Sequence, residues 1–220
     1  MQRPVLLINP NASCATTAAM HRLARLVLPM EFGLESLTAA QGARIITNDA
    51  ELAMSVDQVV AIGRARASQV SAIVIAAFGD PGLPTLRAAV DVPVIGIGEA
   101  AMREAAHGGR HFGIATITPG LEASIAKAVA GLGLGGLFTG CRIPPGDPSQ
   151  LASDPHALDA YLDAAVRACI QDGAQAVVIG GGPLAESAGR IAARFDIPVI
   201  SPIDEAMREA AARLHAAGRP

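Results

Sequence analysis

The stretch PVIGIGEAAMREA, Pro93–Ala105, returns as PVISPIDEAMREA, Pro198–Ala210, with eight of thirteen positions identical and no gap. The run ahead of each copy repeats as well: AIVIAAFGDPGL from Ala72 and AVVIGGGPLAES from Ala176. Each copy strings together a short β-branched run, a Gly/Pro-rich loop, a second apolar run and an Ala-rich helix. That order marks parallel βαβ units. Its return predicts two similar α/β lobes with the site between them.

On either side of the repeat the same alternation continues. Strands are expected at Val5–Ile8, Leu34–Ala39, Ala72–Ala76 and Val94–Ile97. The helices between them are Thr16–Leu28, Ala50–Ser68 capped by Asn48 or Asp49, a short one ending at Val90, and Glu99–Ala106. The second half restarts with strands Phe112–Thr116, Gly136–Ile143, Val177–Ile179 and Val199–Ile200. Its helices are Pro119–Gly131, Pro155–Gln171 behind an Asp154 cap, Leu184–Arg194 and Ile203–Ala217. Pro144-Pro145-Gly146-Asp147-Pro148 reads as a turn-rich loop. The join falls near His107–Arg110, which predicts an N-terminal lobe over 1–108, with the C-terminal helix packed on it, and a C-terminal lobe over 109–220.

Composition narrows the class of function. Of 220 residues 51% are apolar, enough to bury a sizeable core. No apolar run approaches the ~18 residues of a spanning helix. MQRPVLLINPN at the start reads as a strand and loop rather than a signal peptide. Net charge is −3 without a basic block, and one Tyr and no Trp leave few surfaces for stacking bases. We therefore expect a small-molecule ligand and neither a nucleic-acid nor a membrane partner. Cys14, Cys141 and Cys169 are scattered, which suggests a reducing, cytoplasmic setting without disulfides. No metal-ligand spacing is present, so no metal is expected.

Strands covered on both faces bind ligands beyond their carboxyl ends. Four loops qualify, in two facing pairs. Asn9-Pro10-Asn11-Ala12-Ser13 opens a helix, and its amides and hydroxyl suit a small anionic or amide-bearing ligand, with Asn11 and Ser13 as contacts. Thr116 and Thr118 fall at the matching place in the second half and are expected to bond a carboxylate or ring carbonyl; capping by Thr118 or Ser13 is the alternative. Ala77-Phe78-Gly79-Asp80-Pro81-Gly82 and Gly180-Gly181-Gly182-Pro183 bring backbone N–H groups to strand ends, where they can hold a developing negative charge. Neither loop is a dinucleotide fingerprint or a P-loop. Asp80 reads as a turn residue. Glu186 and Glu99 lie at strand-to-helix steps, either as dipole partners or as general bases. Cys14 opens a helix and reads as a small core residue, or else as a nucleophile.

INPNAS from Ile8, AAFGDPGL from Ala76, VPVIGIGEA from Val92 and VVIGGGPLA from Val177 resemble the aspartate/glutamate racemase superfamily, in its hydantoin and allantoin racemase branch. The resemblance spans nearly the whole chain. It implies two α/β lobes related by a pseudo-twofold axis, a ligand between them, no cofactor and assembly into a homo-oligomer. It also implies one cysteine from each lobe, on opposite faces of the substrate carbon. Ala77 and Gly181 stand at those two positions, and neither carries a transferable proton.

That vacancy steers the expected activity toward hydrolytic or desulfhydrase-type attack of water on the (thio)carbonyl of a hydantoin-like ring. Glu186 would activate the water. Asn11, Ser13, Thr116 and Thr118 would anchor the ring, and the backbone at Ala77, Phe78, Gly79, Gly181 and Gly182 would line the pocket. The alternatives are a hydantoin or amino-acid racemase using bases other than cysteine, and a ligand-binding homologue without catalysis.

Overall fold

A computed structural model describes residues 3–145, 151 and 154–218. The chain forms two four-stranded parallel sheets of one topology. In the first, β1 (Val5–Asn9), β2 (Leu34–Thr38), β3 (Ala72–Ile75) and β4 (Val94–Gly96) lie in the order β2-β1-β3-β4. In the second, β5 (Phe112–Ala115), β6 (Phe138–Arg142), β7 (Ala176–Ile179) and β8 (Val199–Ile200) repeat it as β6-β5-β7-β8. The central pairs have equivalent registers, Val5 opposite Ala72 and Phe112 opposite Ala176. Every residue of β1, β3, β5 and β7 is buried, which is why these runs lack polar alternation.

Alternate residues of each central strand enter different cores, following the period of two in a pleated strand. Leu6, Ile8, Ile73 and Ile75 pack under α2 (Asp49–Arg66) and α3 (Leu83–Arg87). Val5, Leu7 and Val74 pack on the other face, under α1 (Cys14–Val27). In the second sheet, Phe112, Ile114 and Val178 meet α5 (Glu122–Gly131), while Val177 and Ile179 meet α6 (Pro155–Gln171) and α7 (Ala185–Ala192).

The two repeated helices, α4 (Ile97–Ala105) and α8 (Pro202–Ala216), trade sheets. Met102 and Ala105 of α4 join the core of the second sheet with Phe112 and Val178. Met207 and Ala210 of α8 join the core of the first sheet with Val5 and Val74. The repeated Met-Arg-Glu-Ala thus does the same job twice, each time on the other lobe's sheet.

Local signals account for most boundaries. Side chains of Ser13, Asn48, Asp154 and Ser201 accept N–H bonds at the starts of α1, α2, α6 and α8. Three expected elements begin later than read, and the short helix expected to reach Val90 ends at Arg87. Residues 119–121, 135–137 and 182–184 form single 3₁₀ turns, so α5, β6 and α7 begin later than expected. Of the expected turn-rich loop, Gly146–Pro148 lie outside the described residues.

Asp80 joins the loop after β3 to α4. It is half-buried, with φ of 47°, in the left-handed region that Asp tolerates better than most residues. Its two carboxyl oxygens accept the N–H groups of Gly98 (2.9 Å) and Glu99 (2.6 Å) at the start of α4. Glycine is required around it. A Cβ on Gly96 would sit 2.3 Å from the Asp80 Cγ, and one on Gly98 would sit 2.0 Å from the Phe78 carbonyl oxygen. Glu99 itself bonds Arg87 (2.8 Å) and Arg103 (3.0 Å) as a structural clamp. Burial tends to raise its carboxyl, but the two guanidinium groups outweigh that and hold it below its usual value.

Two outcomes follow from this packing. Met207→Ala leaves a cavity under the first sheet and is expected to lower stability by about 2–5 kcal/mol, read from the denaturant midpoint. Burial pushes the Asp80 carboxyl up to about 7, against the two N–H bonds that lower it. Its folded value therefore lies above its unfolded one, so its contribution is full below about pH 4 and is lost as pH rises to about 7. Stability of the wild type should fall by about 2–4 kcal/mol across that window, and Asp80→Asn should flatten the slope.

Candidate functional site

The carboxyl ends of β1, β3, β5 and β7 converge on one cavity of about 330 Å³. Lobe one contributes Asn11, Thr16 and the Ala77-Phe78-Gly79 turn. Lobe two contributes Ile117, Thr118 and the Gly180-Gly181-Gly182-Pro183 turn. Ile45, Ile46 and Leu52 cover it from one side, and Leu121, Ser124 and Ile125 from the other.

Glycine and small side chains let the lobes close on each other. A Cβ on Gly182 would lie 2.7 Å from the Met20 sulfur and 3.0 Å from the Ala76 carbonyl oxygen. A Cβ on Gly120 would lie 2.6 Å from the Thr47 carbonyl oxygen. Beside that contact the Ser124 hydroxyl donates to Asp49 at 2.6 Å, a bond between the lobes at the cavity wall.

Asn11 is 4% exposed and held on two sides. Its Nδ2 donates to Asn9 Oδ1 at 2.9 Å, and its Oδ1 accepts the Ile46 N–H at 2.9 Å. An amide has two donors and two acceptor sites, so one of each remains for a ligand. Thr118 lines the cavity with its hydroxyl 3.2 Å from that of Thr116. Among the described residues, the N–H groups of Phe78 and Gly79 have no hydrogen-bond acceptor, which leaves them free for a ligand oxygen. The lining residues include no Asp, Glu, His, Cys, Lys or Arg among those described. Neutral donors and acceptors on an apolar wall suit an uncharged ligand, since a buried unpaired charge is costly.

Asn11, Ala77, Phe78, Gly79, Thr118, Gly181 and Gly182 are therefore brought together as expected lining residues. Four expectations need correction. Ser13 does not line the cavity; its hydroxyl caps α1, accepting the Thr16 N–H at 3.3 Å. Thr116 is wholly buried behind the wall, where it donates to the Gly180 carbonyl at 2.7 Å and shapes the glycine turn. The Gly181 N–H is engaged with the Ile179 carbonyl at 3.0 Å and is not a free donor. Glu186 faces solvent, its side chain 44% exposed and 3.2 Å from Arg22, so it cannot activate water inside the cavity.

Cys14 is exposed at the start of α1 and does not line the cavity. Burial pushes the thiols of half-buried Cys141 and buried Cys169 up to about 12, which leaves both unreactive. Sequence reasoning missed Asn9, which anchors Asn11 from within β1, and Thr16 and Ser124, which line the cavity. A polar residue ending an otherwise apolar strand was the available signal for Asn9. Among the described residues no cluster of three or more His, Cys, Asp or Glu comes together, and no helix is long and apolar enough to cross a membrane.

Known proteins resemble this chain over nearly all of its length. It is 31% identical over 212 residues to the hydantoin racemase of Rhizobium meliloti, covering 96% of this chain and 88% of that one. It is 29% identical over 209 residues to the hydantoin racemase of Paenarthrobacter aurescens, covering 94% and 89%. Among solved structures, the allantoin racemase from Klebsiella pneumoniae superposes with a TM-score of 0.89 at 29% identity, covering 99% of this chain and 89% of that one. These relatives are racemases, and they overturn the expected hydrolytic or desulfhydrase activity. The model of the Asp/Glu/Hydantoin racemase family matches residues 5–210, and this chain belongs to that family.

Proposed function

We propose that this chain binds a hydantoin-type five-membered ring between its lobes and racemises it by exchanging the proton on the ring's stereogenic carbon. The observation that carries the reading is the cavity at equivalent strand ends, with unengaged N–H groups at Phe78 and Gly79. A carbon beside a ring carbonyl loses its proton more easily when the resulting oxyanion meets fixed donors, and such donors are worth several kcal/mol. The names of the relatives support the same chemistry.

Ala77 and Gly181 line the cavity from opposite lobes. With no side chain at either position to take or return the ring proton, solvent water entering the cavity would be both its acceptor and its donor, and the hydroxyls of Thr16 and Thr118, one from each lobe, are the lining groups suited to pass it on. Neither hydroxyl ionises near neutrality, so the exchange is slow. A well-placed acid or base is worth about 10²–10⁴ in rate, and the two small residues forgo it.

Polarimetry of an enantiopure 5-alkylhydantoin in D₂O provides the test. Rotation should decay faster than in buffer alone, with deuterium entering at the same carbon and at the same rate. Rates equal to buffer would remove the racemase reading. The double variant Ala77→Cys/Gly181→Cys should raise exchange about a hundredfold or more, by supplying a thiol from each lobe. Gly181 has an extended backbone, and a Cβ there would meet only the flexible Leu184 side chain, at 3.1 Å. Glu186→Gln should leave the rate unchanged.

The lack of a titratable lining side chain favours one other reading, a family member that binds the ring without turning it over. Tight binding of the hydantoin by calorimetry, together with a buffer-level rate, would select it.

A further inference from the structure

The cavity amide of Asn11 is set by a residue behind the wall. Asn9 ends β1 wholly buried. Its Nδ2 donates to the Ser13 carbonyl at 3.2 Å and the Thr17 hydroxyl at 2.9 Å, which uses both of its hydrogens. Its Oδ1 accepts the Asn11 backbone N–H at 3.0 Å and the Asn11 Nδ2 at 2.9 Å. Turning the Asn9 amide over would put acceptor against the Ser13 carbonyl and donor against the Asn11 N–H. Its orientation is thereby forced, and it forces the next one. Asn11 must aim Nδ2 at Asn9 and Oδ1 at the Ile46 N–H, 2.9 Å away.

We propose that Asn9 is a positioning residue that locks the Asn11 carboxamide, so that its remaining N–H and lone pair read one carbonyl and one N–H of an uncharged cyclic amide. This rests on the hydantoin reading above. A locked amide discriminates, because a ring methylated at the matching nitrogen loses the bond to the remaining lone pair of Asn11 Oδ1 and sets a methyl group against that oxygen. An amide free to turn over would accept either arrangement and discriminate little. The rest of the wall reads the ring less strictly: Ile45, Leu52, Leu121 and Ile125 offer apolar contact, and the hydroxyls of Thr16 and Thr118 can turn to donate or to accept.

The test is calorimetry on the full chain with 5-isobutylhydantoin and the same ring methylated at N1 or at N3. In the wild type at least one methylated ring should bind about ten- to a hundredfold more weakly than the parent. Asn9→Ala, which does not touch the ligand, should compress that ratio to within about threefold. A purely structural role for Asn9 would weaken all three rings by one common factor and keep the ratio, and that result would overturn the proposal. Equal binding of the three rings by the wild type would also overturn it, whether or not Asn9→Ala folds, while leaving the hydantoin reading intact. If the wild type binds none of the three, both readings fall.

Discussion

The exchange of α4 and α8 between the sheets governs everything else in the molecule. Each helix follows the last strand of its own sheet and then buries its methionine in the other core. A fully buried methionine contributes roughly 1.5–3 kcal/mol by burial alone. The exchanged faces also bring Ala101, Ala105, Ala206 and Ala210 into those cores. The lobes are thereby held at one spacing, with the strand ends of both sheets facing a common space. The cavity is the gap that spacing leaves.

Within that gap, chemistry follows from what the backbone permits. Gly96 and Gly98 let Asp80 and the Phe78 carbonyl settle against α4, which holds the turn carrying the free N–H groups. Gly182 lets the opposite turn pass Met20 and Ala76. Thr116 grips the Gly180 carbonyl from behind. None of these groups reacts; they fix where neutral donors point. The wall is therefore preorganised for binding while offering little for proton transfer, and the relatives' racemase names meet a lining without a titratable group.

Much of the fold was legible in the chain because local and global preferences agree. The β-branched runs at Ala72 and Ala176 are buried on both sides and read as such, and Asn48 and Asp154 cap where a polar residue precedes an apolar period. The trading of helices was not legible from PVIGIGEAAMREA and its copy, since an amphipathic face does not name the sheet it will meet. Ser13 shows a second limit: a hydroxyl before a helix suits a cap and a ligand equally, and geometry alone separates them. Glu186 was more readable than it was read. Leu184, Ala185, Ala188 and Ile191 mark the buried side of α7, and Glu186 falls off that stripe. The oxygen-by-oxygen settings of Asn9 and Asn11 depend on Ile46, thirty-five positions after Asn11, which no local pattern reveals.

The traded helices carry one more implication. A solitary lobe of this design would present a bare sheet face and a helix with nowhere to dock. A second copy would cure both defects at once, reciprocally, as in a domain-swapped homodimer. This polypeptide holds the same reciprocal arrangement within one chain. Two halves of one chain need not be identical, so the two walls of the pocket can differ, and an asymmetric guest can be met by an asymmetric host.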